Sequence, residues 1–220
     1  INNFYTATVY EKGAELVRML HTLLGADKFQ QAISLYLKEN DGKAATVEDF
    51  IKSMEDISRR DLSQFKKWYA QAGTPEINKS SSYSKKDKTF TLTLTQTTKP
   101  TQGQPVKEAL HMPFKIGLLQ RTGEASEVKE DIIELKEYEQ SFIFEDIDAK
   151  PVVSFNRGFS APVRVVANKS DSDLLFLIEY DTDPFNKWEA VQTYRLRLLS
   201  RIIEALKTDG RPRQGNRLEG

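Results

Sequence analysis

A tyrosine at the start of a helix is the side chain in this sequence best placed to do chemistry. Thr8 and Glu11 have the spacing of a capping box, so Thr8 is expected to cap a helix and Tyr10 to lie in its first turn. A phenol there sits near the positive end of the helix dipole, where developing negative charge is stabilised. Gly13 falls inside the same helix at a cost of about 1 kcal/mol relative to Ala, which points to close backbone packing. On the residues alone the bland reading, in which both simply serve packing, stands beside the chemical one. Other chemistries are thinly represented. There is no cysteine, which excludes disulfides, cysteine-ligated zinc, iron–sulfur clusters and thiol nucleophiles. The two histidines, His21 and His111, are too far apart in sequence to form a local His-x-x-x-His metal pair.

The elements that must position Tyr10 follow from proline placement and hydrophobic period. All eight prolines lie after residue 73, leaving a first third free for uninterrupted helices. Leu16, Met19, Leu20, Leu23 and Leu24 form one apolar stripe, ended by Gly25. A second helix carries Phe29, Ile33, Tyr36 and Leu37 and stops near Asn40-Asp41-Gly42. A third starts at a capping-box-like Thr46-Val-Glu-Asp49 and presents Phe50, Met54 and Ile57. A fourth presents Leu62, Phe65, Trp68 and Tyr69 and ends at Gly73-Thr74-Pro75.

The period then changes from helix to strand. Residues 89–97 alternate strictly, with Phe90, Leu92 and Leu94 on one face and threonines on the other. Further strands are expected at 113–120, 128–135, 141–147, 151–156 and 161–167, together a small β-sandwich. Ser80–Asp87 reads as a hairpin tip. Helices return after residue 171, and Asp183-Pro184 separates a short one from a longer one carrying Trp188, Val191, Leu198, Ile202 and Leu206. Between 184 and 213 seven basic residues face three acidic ones, a pattern that suits a solvated helix face better than a nucleic-acid patch.

The chain holds 32 basic and 32 acidic residues among 220, so no global charge favours nucleic acid or membrane partners. Charged residues at 29% and hydrophobic ones at 39% suit a folded chain of one to two domains. No stretch approaches the ~18 apolar residues of a membrane span, and the opening INNFYTATVY has neither a basic n-region nor an apolar h-region. The absence of an initiator methionine suits a chain that starts inside a longer protein, and the chain reads as cut off at both ends.

Phe4-Tyr5-x-x-x-Val9-Tyr10-Glu11-Lys12-Gly13-Ala14-Glu15, followed by the Leu/Met-rich helix, resembles the segment after the zinc site in the aminopeptidase N (alanyl aminopeptidase) family of gluzincin metallopeptidases. Asp41–Phe50 resembles that family's helix-connecting segment, and Asp61–Pro75 resembles the end of its catalytic domain. The order of helices, sandwich and helices also resembles the family, nearest to its bacterial type. The resemblance implies an α+β, multidomain fold: residues 1–73 as the C-terminal helical part of a thermolysin-like catalytic domain, 74–170 as a small β-sandwich, and 171–220 as the start of an α-helical superhelical domain. It implies that Tyr10 donates a hydrogen bond to the tetrahedral oxyanion formed when zinc-activated water attacks the first peptide carbonyl. It implies that Asn2 and Tyr5 line the pocket for the substrate's first side chain, with Glu11 in a supporting role.

The family's H-E-x-x-H, its downstream glutamate and its G-A-M-E-N-type motif do not occur in these residues; in the family the zinc ligands lie N-terminal to the opening segment. The expectation is therefore a zinc aminopeptidase as the parent protein, acting on peptides, with no nucleic-acid or membrane partner. The chain alone is expected to bind no zinc and to be inactive without the missing catalytic half. By resemblance the parent is cytoplasmic. The alternative is a non-catalytic β-sandwich and helical spacer or protein-interaction module. Bare apolar surface on residues 1–30 would favour the enzyme fragment; a buried face there would favour the self-contained module.

Overall fold

The computed structural model describes residues 8–122, 125–166 and 169–208. The chain divides into two compact units, Ile1–Asn168 and Lys169–Gly220. The first opens with a π-helical turn, Thr8–Lys12, that runs directly into α1, Gly13–Leu24. The helical run thus starts at Thr8, whose side chain lies outside the description, and α1 proper begins after Lys12, whose backbone is already helical (φ −65°, ψ −38°) and whose side chain makes no cap. The close packing expected at Gly13 is corrected, since a Cβ added there would meet nothing within 4 Å. Gly25, at φ 78°, turns the chain into α2, Ala26–Asn40, as its N–H donates to the His21 carbonyl.

The capping box before α3, Val47–Ser58, forms as its sequence requires: the Thr46 side chain accepts from the Asp49 N–H and the Asp49 carboxylate accepts from the Thr46 N–H. The fourth helix is shorter than expected. Only Lys67–Ala70, α4, is α-helical, and the preceding residues make turns with bonds such as Trp68 N–H to the Phe65 carbonyl. The reason is the spacing of Leu62, Phe65 and Trp68: a period of three aligns side chains in tight turns, and all three are buried.

The sandwich has a four-stranded sheet of order β5-β2-β1-β7 and a three-stranded sheet of order β4-β3-β6. Its strands are β1 (Glu76–Ser84), β2 (Thr89–Thr97), β3 (Met112–Thr122), β4 (Ala125–Leu135), β5 (Glu139–Phe144), β6 (Val152–Phe155) and β7 (Arg164–Val166). Phe90, Leu92 and Leu94 from β2 share one core with Phe114, Ile116 and Leu118 from β3, as the alternation requires. Ser80–Asp87 is not a hairpin tip: β1 runs through Ser84, with Ser80 opposite Thr93 and Ser82 opposite Thr91, and only 85–88 turn. Its serines carry no apolar alternation, so the ladder to β2, and not the side-chain pattern, makes this strand.

The second unit pairs α5, Asp171–Tyr180, with α6, Pro184–Thr208. The Ser170 hydroxyl caps α5 by accepting from the Asp173 N–H, and Pro184 takes the first position of α6, where its missing N–H costs nothing. Arg197 and Arg201 both bind the Asp171 carboxylate, at 3.1 and 2.5 Å, so two of the basic residues in this stretch are internal ties. Leu198, Ile202 and Leu206 are exposed, as is Trp188 at 58%. The apolar stripe of α6 therefore exceeds what α5 covers. At the other end, large apolar side chains described between residues 10 and 30 are buried or half-buried apart from Tyr10. Among the described side chains, residues 10–30, no bare apolar face is found; those of residues 1–9 lie outside the description.

Candidate functional site

Tyr10 lies in the middle of the π-helical turn and is 60% exposed. A π-helical turn widens the helix by one residue and is uncommon except at functional positions, so the segment that carries the phenol is locally distinctive. Glu11 is also exposed. Asn2 and Tyr5 lie outside the described residues.

Lys12, which sequence reasoning did not single out, ties this turn to the far end of the helical segment. Its Nζ donates to the Gly73 carbonyl at 3.2 Å and lies 5.6 Å from the centroid of the Trp68 ring. Burial first, and the Lys107 charge second, lower the Lys12 ammonium from its ordinary pKa. No local signal betrays this residue, because its carbonyl partner is 61 positions away.

Trp68 is itself pinned. It is 3% exposed, and its Nε1 donates to the His111 carbonyl at 2.8 Å. His111, next to β3, packs edge-on against Phe65, and its Nε2 donates to Glu134 at 2.9 Å. Arg60 bonds the other oxygen of Glu134 and also donates to the Leu23 carbonyl at 2.6 Å, while Lys136 stands 3.5 Å from the same carboxylate. α1, the turns before α4, and the β3–β4 pair thus converge on one carboxylate. The His111 hydrogen bond, and then Arg60, outweigh the cost of burial and bring Glu134 from 4.5 to about 2.

A depressed carboxylate pKa means that Glu134 stabilises the fold fully above pH 4.5, and that this contribution disappears as pH falls toward 2. At about 1.4 kcal/mol per tenfold change in affinity for the proton the limit is about 3 kcal/mol, and solvent around Arg60 reduces it to about 2 kcal/mol. Urea midpoints recorded from pH 5 to pH 2.5 should therefore fall more steeply for the unaltered chain than for Glu134→Gln. Parallel pH profiles would show that this network adds no charge-dependent stability.

The histidines do not meet. His21 is exposed and packs edge-on to Phe29, whereas His111 is buried beneath the helical segment. Among the described residues no group of three or more His, Asp or Glu side chains is arranged to hold a metal ion. These residues therefore do not fit a catalytic zinc.

Residues 1–69 match the peptidase family M1 domain, residues 73–168 match a domain of unknown function with an Ig-like fold, and residues 171–218 match ARM repeats of a C-terminal domain of unknown function. The chain is 44% identical to an aminopeptidase N of Haemophilus influenzae over 87% of its length, and 41% identical to an aminopeptidase N of Escherichia coli over 88%. It spans 23% of each of those relatives. A solved structure of Legionella pneumophila aminopeptidase A in complex with aspartic acid superposes with a TM-score of 0.79 at 32% identity, over 96% of this chain and 23% of that one.

Proposed function

Because the chain belongs to the aminopeptidase N family of M1 peptidases, we propose that it is part of a zinc-dependent aminopeptidase that removes N-terminal residues from peptides. In this reading residues 1–73 complete a thermolysin-like catalytic domain, 74–170 form its sandwich, and 171–220 begin a helical domain. The observation that carries the reading is the exposed phenol of Tyr10 on a π-helical turn, inside the segment that matches the peptidase domain.

Zinc would supply Lewis-acid activation of water, and its ligands would come from the part of the protein outside this chain. Tyr10 has a narrower task. When water adds to the first peptide carbonyl, negative charge gathers on the carbonyl oxygen, and the phenol O–H donates a hydrogen bond to it. The helical run begins at Thr8, so its positive end lies within one turn of Tyr10 and favours the same charge. Asn2 and Tyr5 would line the pocket for the departing residue's side chain, with Glu11 supporting them.

The second reading is a non-catalytic spacer or interaction module, and the buried apolar face of α1 speaks for it. One experiment separates the two. Zinc content and alanyl-p-nitroanilide hydrolysis are measured on this chain and on the full-length protein. The expected result is one zinc and turnover in the full-length protein, with neither in the chain alone. Full-length protein that neither binds zinc nor turns over substrate would leave the module reading. Turnover by the chain alone would mean that the ligands had been misplaced.

A further inference from the structure

The turn that carries Tyr10 is held from outside itself. Lys12 closes the π-helical turn and opens α1 without a capping side chain, and its ammonium reaches instead to Gly73 and Trp68. Both partners are fixed by the sandwich. Trp68 donates to the His111 carbonyl, and the carbonyls of Ala70 and Ala72, beside Gly73, accept from Gln104 Nε2 at 2.8 Å and Lys107 Nζ at 3.0 Å. Gly73 adopts φ 102°, and a Cβ there would meet Thr98 Cγ2 at 3.0 Å, so this stretch of backbone has little room to shift. A half-buried ammonium whose pKa burial lowers is costly unless its carbonyl and aromatic partners offset that burial, which both do here.

We infer that Lys12 is a positioning residue for Tyr10: its ammonium, bound to the Gly73 carbonyl and lying over the Trp68 ring, fixes the π-helical turn that presents the phenol. The sandwich thereby sets the geometry of a group that acts in the catalytic domain. This rests on the oxyanion role proposed for Tyr10, because Lys12 touches neither substrate nor metal in that scheme.

The test is made in the full-length, zinc-loaded enzyme. Lys12→Met keeps the length of the side chain and removes the charge; a displacement of the phenol by about 1 Å should lower kcat about 10- to 100-fold with KM and zinc content unchanged. Lys12→Arg, which can still donate to Gly73 and lie over Trp68, should stay within about fivefold of the unaltered enzyme. In a Tyr10→Phe background Lys12→Met should cost little more, since the group it positions is gone. If Lys12→Met does not fold, Lys12→Gln takes its place with the same expected direction.

Unchanged kcat in the neutral variant, or the same fold-loss with and without the Tyr10 hydroxyl, would overturn the inference. The two readings fail separately. A Tyr10→Phe enzyme with unaltered kcat removes the oxyanion role and the positioning role with it. A strongly impaired Tyr10→Phe beside an unimpaired Lys12→Met removes the positioning role alone.

Discussion

Tyr10→Phe in the full-length enzyme is expected to lower kcat by about 10²–10³ while zinc content and KM stay close to those of the unaltered protein. The loss comes from differential binding. The ground-state carbonyl oxygen carries little charge and gains little from a phenol, whereas the oxyanion gains a charge-assisted hydrogen bond worth about 3–4 kcal/mol. Phenylalanine preserves the ring and removes only the hydroxyl, and the bond from Lys12 to the Gly73 carbonyl is untouched, so the π-helical turn should keep its shape. An unaltered kcat would exclude the oxyanion role. A rise in KM with kcat preserved would instead make Tyr10 a substrate-binding group.

Sequence and structure agree where the information is local. The threonine-alternating β2 was legible because period-two burial against a second sheet leaves its mark on every other residue, from Phe90 to Leu94. The start of α3 was legible because Thr46 and Asp49 satisfy each other's backbone donors within a single turn. β1 was not, because its middle, Lys79–Ser82, shows no apolar alternation between Ile77 and Tyr83 and owes its strand to the ladder with β2. The turns before α4 read as a helix because a spacing of three mimics half of a helical stripe.

The candidate site divides the same way. A tyrosine in a first turn serves packing as readily as chemistry, so only the resemblance of the surrounding segment to a known family gave Tyr10 a catalytic role. Lys12 stood inside that segment unremarked. What distinguishes it, Trp68 and Gly73, is brought near by the docking of the helices on the sandwich, which no local period encodes. The His111–Glu134–Arg60 cluster was hidden for the same reason, since its members come from three separate stretches of chain.

That docking leads to the largest expected effect on stability. Trp68→Ala should lower the unfolding free energy of the first unit by about 3–5 kcal/mol, because it empties a fully enclosed volume. It also leaves the His111 carbonyl without its indole donor and the Lys12 ammonium without the ring beneath it. Trp68→Phe retains most of the apolar volume and loses the N–H, so it should cost about 1–2 kcal/mol. Against a total of about 5–15 kcal/mol for a typical domain, the alanine variant would stand close to unfolding. Urea denaturation followed by far-UV circular dichroism reads both, as midpoints shifted by different amounts at similar slope. The ratio of the two losses carries the argument: if Trp68 is the wedge between helices and sandwich, removing its bulk must cost more than removing its hydrogen bond. Equal losses would place the stabilisation in the bond to His111, and a loss below about 1 kcal/mol for Trp68→Ala would mean that the helical segment and the sandwich do not unfold as one. In that event Lys12 would be tied to a support with no rigidity to lend, and its positioning of Tyr10 would fail with it.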